Sequence, residues 1–202
     1  MPKQYDEAYF HRWYRDPHTR VTSDRALERK VHVALSVAEY MLGRHVRTVL
    51  DIGCGEARWY VALRALRRGI EYTGLDPSEY AVRTFGASRN VRQGSFRTLK
   101  SLRLAGPFDL IVCADVLQYV PSTQLAGGLR EIRRLLAGAA YLEAYASEDD
   151  MEGDMEGWHF RSAAEYRRHF RDAGLTQCGI YCFIDTRKIS AVNQFEICEC
   201  ID

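Results

Sequence analysis

The segment Asp51-Ile52-Gly53-Cys54-Gly55-Glu56-Ala57-Arg58 closes a short apolar run and opens a helical one. Two glycines at a strand-to-helix turn let the backbone come close to a ligand, and the helix start beyond them offers unpaired N–H groups. Asp76 follows Gly55 by 21 residues, at the end of the next apolar run. A carboxylate in that place accepts hydrogen bonds from both hydroxyls of a ribose. The same residues have a plainer reading, in which the glycines make a tight structural turn and Asp76-Pro77-Ser78 starts a helix capped by Ser78. Arg58 stands where a dinucleotide-binding pattern would place its third glycine, so the glycine pair alone does not decide between the two.

The elements that must position these residues alternate between short β-rich runs and longer helical ones. Strands are expected at His45 to Asp51, Ile70 to Asp76, Asn90 to Gly94, Phe108 to Ala114 and Ala139 to Ala146, with helices at Ala57 to Arg68, Ser78 to Ser88, Thr123 to Leu136 and Ser162 to Ala173. This is the pattern of an α/β fold, a doubly wound parallel sheet with helices on both faces. After Gly174, two further strand-like segments, Thr176 to Asp185 and Ala191 to Cys200, are joined by only five residues. So short a link permits an antiparallel hairpin alone, and the sheet should end mixed. Ahead of the first strand, Leu27, Val31, Leu35, Ala38 and Leu42 form one apolar stripe at helical spacing. The segment Tyr5 to Val21 is aromatic and basic, too short for a core of its own, and is expected to drape over another surface. The organisation is therefore one domain over 1–202, with a flap and helix at 1–42 and a core at 45–200.

Val49 to Gly55, Asp76, Gly94-Ser95-Phe96 and Phe108-Asp109-Leu110-Ile111-Val112-Cys113-Ala114-Asp115-Val116-Leu117-Gln118-Tyr119-Val120-Pro121 stand in order and in register with one another. In this they resemble the motifs of class I S-adenosylmethionine-dependent methyltransferases, and the resemblance covers roughly residues 45 to 200. It implies a Rossmann-like, seven-stranded sheet with the last hairpin inserted antiparallel, and S-adenosylmethionine as cofactor with S-adenosylhomocysteine as product. By it, Gly53 and Gly55 lie beneath the methionine part, Cys54 between them is a cofactor-binding residue, and Asp51 orders the ammonium group directly or through water. Asp76 holds the ribose. Ser95 and Phe96 border the adenine, although many relatives are acidic where this chain has Ser95. Ala114, Asp115, Val116 and Leu117 line the floor near the sulfonium, with Tyr119 facing the reaction space. A sulfonium methyl is already activated, so alignment of a nucleophile and exclusion of water suffice unless the nucleophile arrives protonated.

Residues that choose the acceptor in such folds come from loops past the strand ends and from the N-terminal cover. Candidates are Tyr119, Glu143 and His159 for catalysis, and Tyr9, Tyr119, Tyr145, Trp158 and His159 for substrate. Trp158-His159 reads as a lid with a general base, or as a loop anchor beside an incidental His. In the cover, Tyr9 and Tyr14 would close over the cofactor while Arg15 or Arg20 reaches its carboxylate, or the cover is an aromatic flap that only shields core. The run Glu148, Asp149, Asp150, Glu152, Asp154 and Glu156 contains no basic residue. It is either a solvated face or an acidic rim that draws a cationic substrate.

Charge balance narrows the partners. The 202 residues carry 28 Lys+Arg and 27 Asp+Glu, a formal net charge of +1, which gives little of the phosphate attraction expected of a nucleic-acid binder. At 47% hydrophobic and 27% charged residues the composition is that of a globular protein. No apolar run approaches the roughly 20 residues of a membrane span, and the first seven residues lack a signal-peptide stretch, so a cytoplasmic location is expected. Cys54 and Cys113 read as small buried hydrophobes. If Cys178 and Cys182 share a strand, their Cα atoms lie roughly 13 Å apart, too far to share a metal, and no metal is expected. The expected partner is a small molecule, with a protein side chain next. Rival readings are a nicotinamide-dependent oxidoreductase, disfavoured by the missing third glycine and the absent Tyr-x-x-x-Lys pair, and a non-catalytic cofactor-binding protein.

Overall fold

Alternate residues along each central strand face different helical layers, and that is what fixes the architecture. The computed structural model describes residues 3–151 and 153–198. Seven strands, β1 (Thr48–Ile52), β2 (Glu71–Asp76), β3 (Val91–Gln93), β4 (Phe108–Ala114), β5 (Leu136–Glu143), β6 (Leu175–Gly179) and β7 (Cys182–Asp185), pair in the order β3-β2-β1-β4-β5-β7-β6. The first five are mutually parallel, and β7 is antiparallel to both β5 and β6. Val49, Leu110, Val112 and Tyr141 pack with Leu27, Val31, Ala34, Leu35 and Ala38 of α2 (Asp24–Leu42) and with Trp59 and Leu63 of α3 (Arg58–Leu66). Their neighbours Leu50, Ile52, Ile111 and Cys113 face the other way, against Leu125, Leu129, Ile132 and Leu135 of α5 (Ser122–Leu135) and Tyr166 and Phe170 of α6 (Ala163–Asp172). A fifth helix, α4 (Glu79–Arg89), lies against β2 and β3. The cover begins with the single turn α1 (Glu7–Phe10), which runs on as a π-turn through Arg15.

Local chemistry starts the helices where the sequence places them. Ser78 and Ser162 accept hydrogen bonds from Ala81 N and Glu165 N as N-caps, and Ser23 does the same for α2 from Ala26 N. At the end of the sheet away from the site, Asp109 is buried, accepts both arms of Arg44 at 2.8 Å, and accepts Arg47 N at 2.8 Å, tying β4 to the start of β1.

The hairpin is antiparallel as expected, but its limits differ. The expected single strand Thr176 to Asp185 is two strands, β6 and β7, turned at Ile180 and Tyr181, with Tyr181 in the left-handed region at φ 54°. The expected partner Ala191 to Cys200 is not a strand over its described part. Asn193 and Glu196 cap one another's backbone there, and residues 194–196 coil into a short 3-10 turn. Cys178 and Cys182 consequently sit on different strands, so the spacing argument made for one strand does not apply. Cys200 and Glu152 lie outside the described residues. Among the described residues no helix is long and apolar enough to cross a membrane.

Candidate active site

The C-terminal ends of β1, β2, β4 and β5 form one edge, and the strand order reverses between β1 and β4, where a crevice opens. Gly53 and Gly55 take φ of 74° and 53° in the turn after β1, which L side chains rarely adopt. Their close neighbours require glycine as well. A Cβ on Gly53 would lie 2.4 Å from Val116 Cγ2, and one on Gly55 would lie 3.0 Å from the Tyr14 ring and 3.1 Å from Phe10. The turn is latched to β2, since Gly53 N and Cys54 N donate to Leu75 O at 2.7 and 3.1 Å, and Gly55 N donates to Asp76 Oδ2 at 2.7 Å.

The buried carboxyl groups of Asp51 and Asp76 and the half-buried one of Asp115 look into this edge. Burial pushes Asp51 up to about 7, against the opposing hydrogen bond from Tyr72 at 2.6 Å. Asp76 is pushed up to about 6 by burial, although Ser78 N and Gly55 N bond to its two oxygens at 2.8 and 2.7 Å. Asp115 rises to about 6, through burial first and then through the charge of Glu143, while Gln118 Nε2 donates to it. Asp115 also holds φ 60°, a conformation costing about 1 kcal/mol or more in a non-glycine residue. Each oxygen of Asp76 keeps a free lone pair beyond its backbone bond, so the ligand and structural readings of this residue are compatible. We expect Asp76→Ala to weaken S-adenosylhomocysteine binding by about 1–3 kcal/mol in calorimetric titration; unchanged affinity would leave Asp76 a purely structural latch.

Above the edge lies the aromatic cover. Phe10 is buried and packs edge-on to Tyr14 at 5.0 Å between centroids and stacks with Tyr80 at 5.6 Å. Arg15 pairs with Glu56 and donates to Tyr80 Oη at 2.7 Å, while Ser78 Oγ donates to Tyr5 O at 2.5 Å. Beneath it are three cavities. The largest, about 410 Å³, is bounded by Phe10, Tyr14, Asp76, Ser95, Phe96 and Val116 among others. A smaller one of about 70 Å³ lies over Asp51, Gly53, Cys54 and Ala114, with Lys30, Arg58 and Glu143 at its polar wall. The third, about 30 Å³, lies among Tyr9, Trp13, Tyr119, Tyr145, Asp154 and Trp158. Tyr14 and Asp115 border all three.

A methyltransferase-domain family model matches residues 50–142, the stretch that contains both glycines, Asp76 and Asp115. The fold is that of class I methyltransferases. Solved structures of similar fold include the plantazolicin methyltransferase BamL, 14% identical with TM-score 0.61 over 78% of this chain and 68% of that one. Streptomyces venezuelae DesVI is also 14% identical with TM-score 0.61, over 78% of this chain and 91% of its own. A SAM-dependent methyltransferase from Archaeoglobus fulgidus is 16% identical with TM-score 0.58, over 83% and 73%. No curated protein matches the sequence.

Enzymes of this class take their methyl group from S-adenosylmethionine, and the methyltransferase domain here fits that molecule. The large cavity offers the Phe96 ring, the Val116 side chain and the Asp76 carboxyl to an adenosine. The small one offers Asp51 and Glu143 Oε2, a buried acceptor without a partner, to an ammonium, and Lys30 and Arg58 to a carboxylate. Of the residues expected at the cofactor, Asp51, Gly53, Cys54, Asp76, Ser95, Phe96, Ala114, Asp115, Val116 and Tyr14 border these two cavities. Gly55 lies under Tyr14. Leu117 instead is fully buried in the α5 layer, and Arg20 is turned to Asp24 at 3.1 Å, away from the cavities. Among the acceptor candidates, Tyr9, Tyr119, Tyr145 and Trp158 border the third cavity. His159 does not. Its side chain is exposed, and its backbone N–H bonds to Gln118 O at 2.7 Å. Glu143 is held by Lys30 Nζ at 2.6 Å.

Lys30 and Trp13 were not singled out in the sequence. Lys30 neighbours Val31 of the apolar stripe but reaches a partner 113 residues away, and no local pattern reports such a contact. Arg161 is also buried: Nε donates to Ser122 Oγ at 3.1 Å, Nη1 to Leu117 O at 3.3 Å, and Nη2 to Val120 O. It joins the loop after β5 to the loop after β4.

Proposed function

We propose that this methyltransferase transfers the methyl group of S-adenosylmethionine to a nucleophile on a small-molecule acceptor. The observation that carries the reading is that Tyr14 and Asp115 border all three cavities, so the two donor-sized chambers and the aromatic third chamber meet at one point. The third chamber is small and walled by large side chains, which suits a compact group. The plantazolicin methyltransferase of similar fold was crystallised with a triazolic desmethyl analogue and S-adenosylhomocysteine.

When bound, the cofactor supplies a methyl already activated by its positively charged sulfur. The remaining work belongs to the chain. Asp76 holds the ribose through its free lone pairs, and Asp51 with Glu143 receives the ammonium. Tyr14 and Phe10 close over the glycine turn and exclude water, which strengthens each of these contacts. The Tyr119 hydroxyl donates to Asp154 O at 2.6 Å and its pKa is pushed above the ordinary phenol range, mainly by burial, so it orients the chamber wall as a neutral phenol. Asp115 stands where the chambers meet and is the group placed to take a proton at its carboxylate oxygen from an acceptor that arrives protonated.

Calorimetric titration tests the reading. Saturable one-to-one heat is expected with S-adenosylmethionine and S-adenosylhomocysteine and none with NADH. Silence with both sulfur compounds would overturn it, and heat with NADH would favour an oxidoreductase on this fold.

A further inference from the structure

Ahead of α1, Lys3 makes a contact that cofactor binding does not require. Its Nζ lies 4.3 Å from the centroid of the Tyr119 ring and 5.4 Å from those of Tyr5 and of Tyr9. It pairs with the Asp154 carboxylate and donates to Glu156 O at 3.1 Å. Three aromatic rings and one carboxylate gathered on a single ammonium form a recognition arrangement for organic cations, because the ring quadrupoles attract a positive charge that has shed part of its water. The pair is well enclosed, with side-chain exposures of 14% for Lys3 and 11% for Asp154.

The walls are held by bonds that do not involve Lys3. Tyr5 is fixed through its carbonyl by Ser78 Oγ at 2.5 Å and packs edge-on against Tyr9 at 5.0 Å. Tyr119 donates to Asp154 O at 2.6 Å and packs against Trp158 at 6.0 Å. The cage therefore keeps its shape when its occupant changes. It also adjoins the chemistry, since Tyr9, Tyr119 and Asp154 border the acceptor chamber, and Tyr9 and Tyr119 border the adenosine-sized cavity as well. Of the acidic run after β5, Glu148 and Asp149 are spent on backbone N–H groups at Ala163 and Ala146, while Asp154 turns inward to this cage.

We propose that the Tyr5, Tyr9, Tyr119 and Asp154 cage is the subsite for an organic ammonium group carried by the acceptor, and that Lys3 is an internal surrogate which withdraws when such a group enters. The proposal rests on the acceptor reading of the third chamber and gives it a substrate class. A substituted ammonium presents alkyl groups to the rings and is less strongly hydrated than the lysine NH3+, so it has the advantage in the cage. Lys3 is followed by the exposed Gln4, and its two polar contacts both fall within the same loop after β5.

The probe is choline, compared with its uncharged isostere 3,3-dimethylbutan-1-ol, titrated into the full chain and followed by NMR line shifts. Choline is expected to bind Lys3→Ala about tenfold more tightly than the parent, because the surrogate no longer competes, while the isostere binds neither. In the Lys3→Ala background, Tyr119→Leu should weaken choline by about tenfold and Tyr119→Phe, which keeps the ring, by less than about threefold. Equal choline affinity with and without Lys3, or binding of the isostere as strong as that of choline, overturns the proposal. S-adenosylhomocysteine titrated into the same proteins separates the two failures. Cofactor heat without a choline response rejects the cage alone, whereas a choline response without cofactor heat upholds the cation site and rejects methyl transfer.

Discussion

Gly53→Val should raise the Kd for S-adenosylhomocysteine by more than about a hundredfold while far-UV circular dichroism stays that of the parent. Two separate effects combine. At φ 74° a β-branched residue is a genuine outlier, and its strain is added to the turn that carries the ligand. The new Cβ would also meet Val116 Cγ2 at 2.4 Å, and the γ-methyls of valine reach further. Relief has two directions, and both damage the site. If Val116 gives way, it moves into the adenosine-sized cavity that it borders; if the turn gives way, the bonds from Gly53 N and Cys54 N to Leu75 O and from Gly55 N to Asp76 are drawn out together. The first route costs binding with little loss of melting temperature, and the second costs both. An affinity within about tenfold of the parent would show that the glycine turn is not beneath the ligand.

The second large effect is on stability against pH. Asp51, Asp76 and Asp115 are held protonated to about 7, 6 and 6, each chiefly by burial, against an ordinary value of 3.8. A group whose pKa is raised by folding contributes stability that is present below its unfolded pKa and is lost as pH rises through the folded one. The ligand-free protein should therefore become less stable between pH 5 and pH 8, by about 1 to 3 kcal/mol for one such group. Carboxylates held low by partners, such as Glu39 at about 2 beside Arg67, change only at much lower pH and leave this window clear. Urea unfolding at pH 5, 6, 7 and 8 measures the slope, and Asp115→Asn should flatten it in part. A cationic ligand favours the ionised carboxylates, so S-adenosylmethionine should bind more tightly as pH rises through the same window and release protons on binding. Calorimetry in buffers of different ionisation enthalpy reads that release. Stability that is flat or rising from pH 5 to 8 would mean that these carboxyls are already ionised.

What the sequence discloses about this fold follows from where the apolar residues fall. Strand β4 is expected and observed at Phe108 to Ala114, because a central parallel strand is buried on both faces and its stretch Leu110 to Ala114 reads as a continuous apolar run. The helix starts at Ser78 and Ser162 are legible for a different reason, since a cap is a contact within three residues. The hairpin fails on the same principle. Between Thr176 and Asp185 the one turn-type residue, Gly179, ends β6 just before the turn, and the left-handed position is taken by Tyr181 rather than glycine or asparagine. Further along, the apolar residues of 191–198 suggest pairing while Asn193 and Glu196 satisfy the backbone locally. At the site, the glycines, Asp51, Asp76 and Asp115 belong to an ordered motif and are placed from it. Lys3 and Lys30 are placed by contacts spanning more than a hundred residues, with Asp154 and Glu143, and only the assembled fold brings these together.

The buried Arg161 has a practical consequence for anyone probing the proposed acceptor chamber by mutation. One guanidinium holds Leu117 O, Val120 O and Ser122 Oγ, while His159 N bonds Gln118 O from the same loop. Tyr119 therefore belongs to the same rigid piece as Trp158 and Phe160. Substitutions at 119, 145 and 158 chosen one at a time will not add, since each resets the seat of the others. A library for this enzyme should vary those three positions together and leave Arg161 untouched.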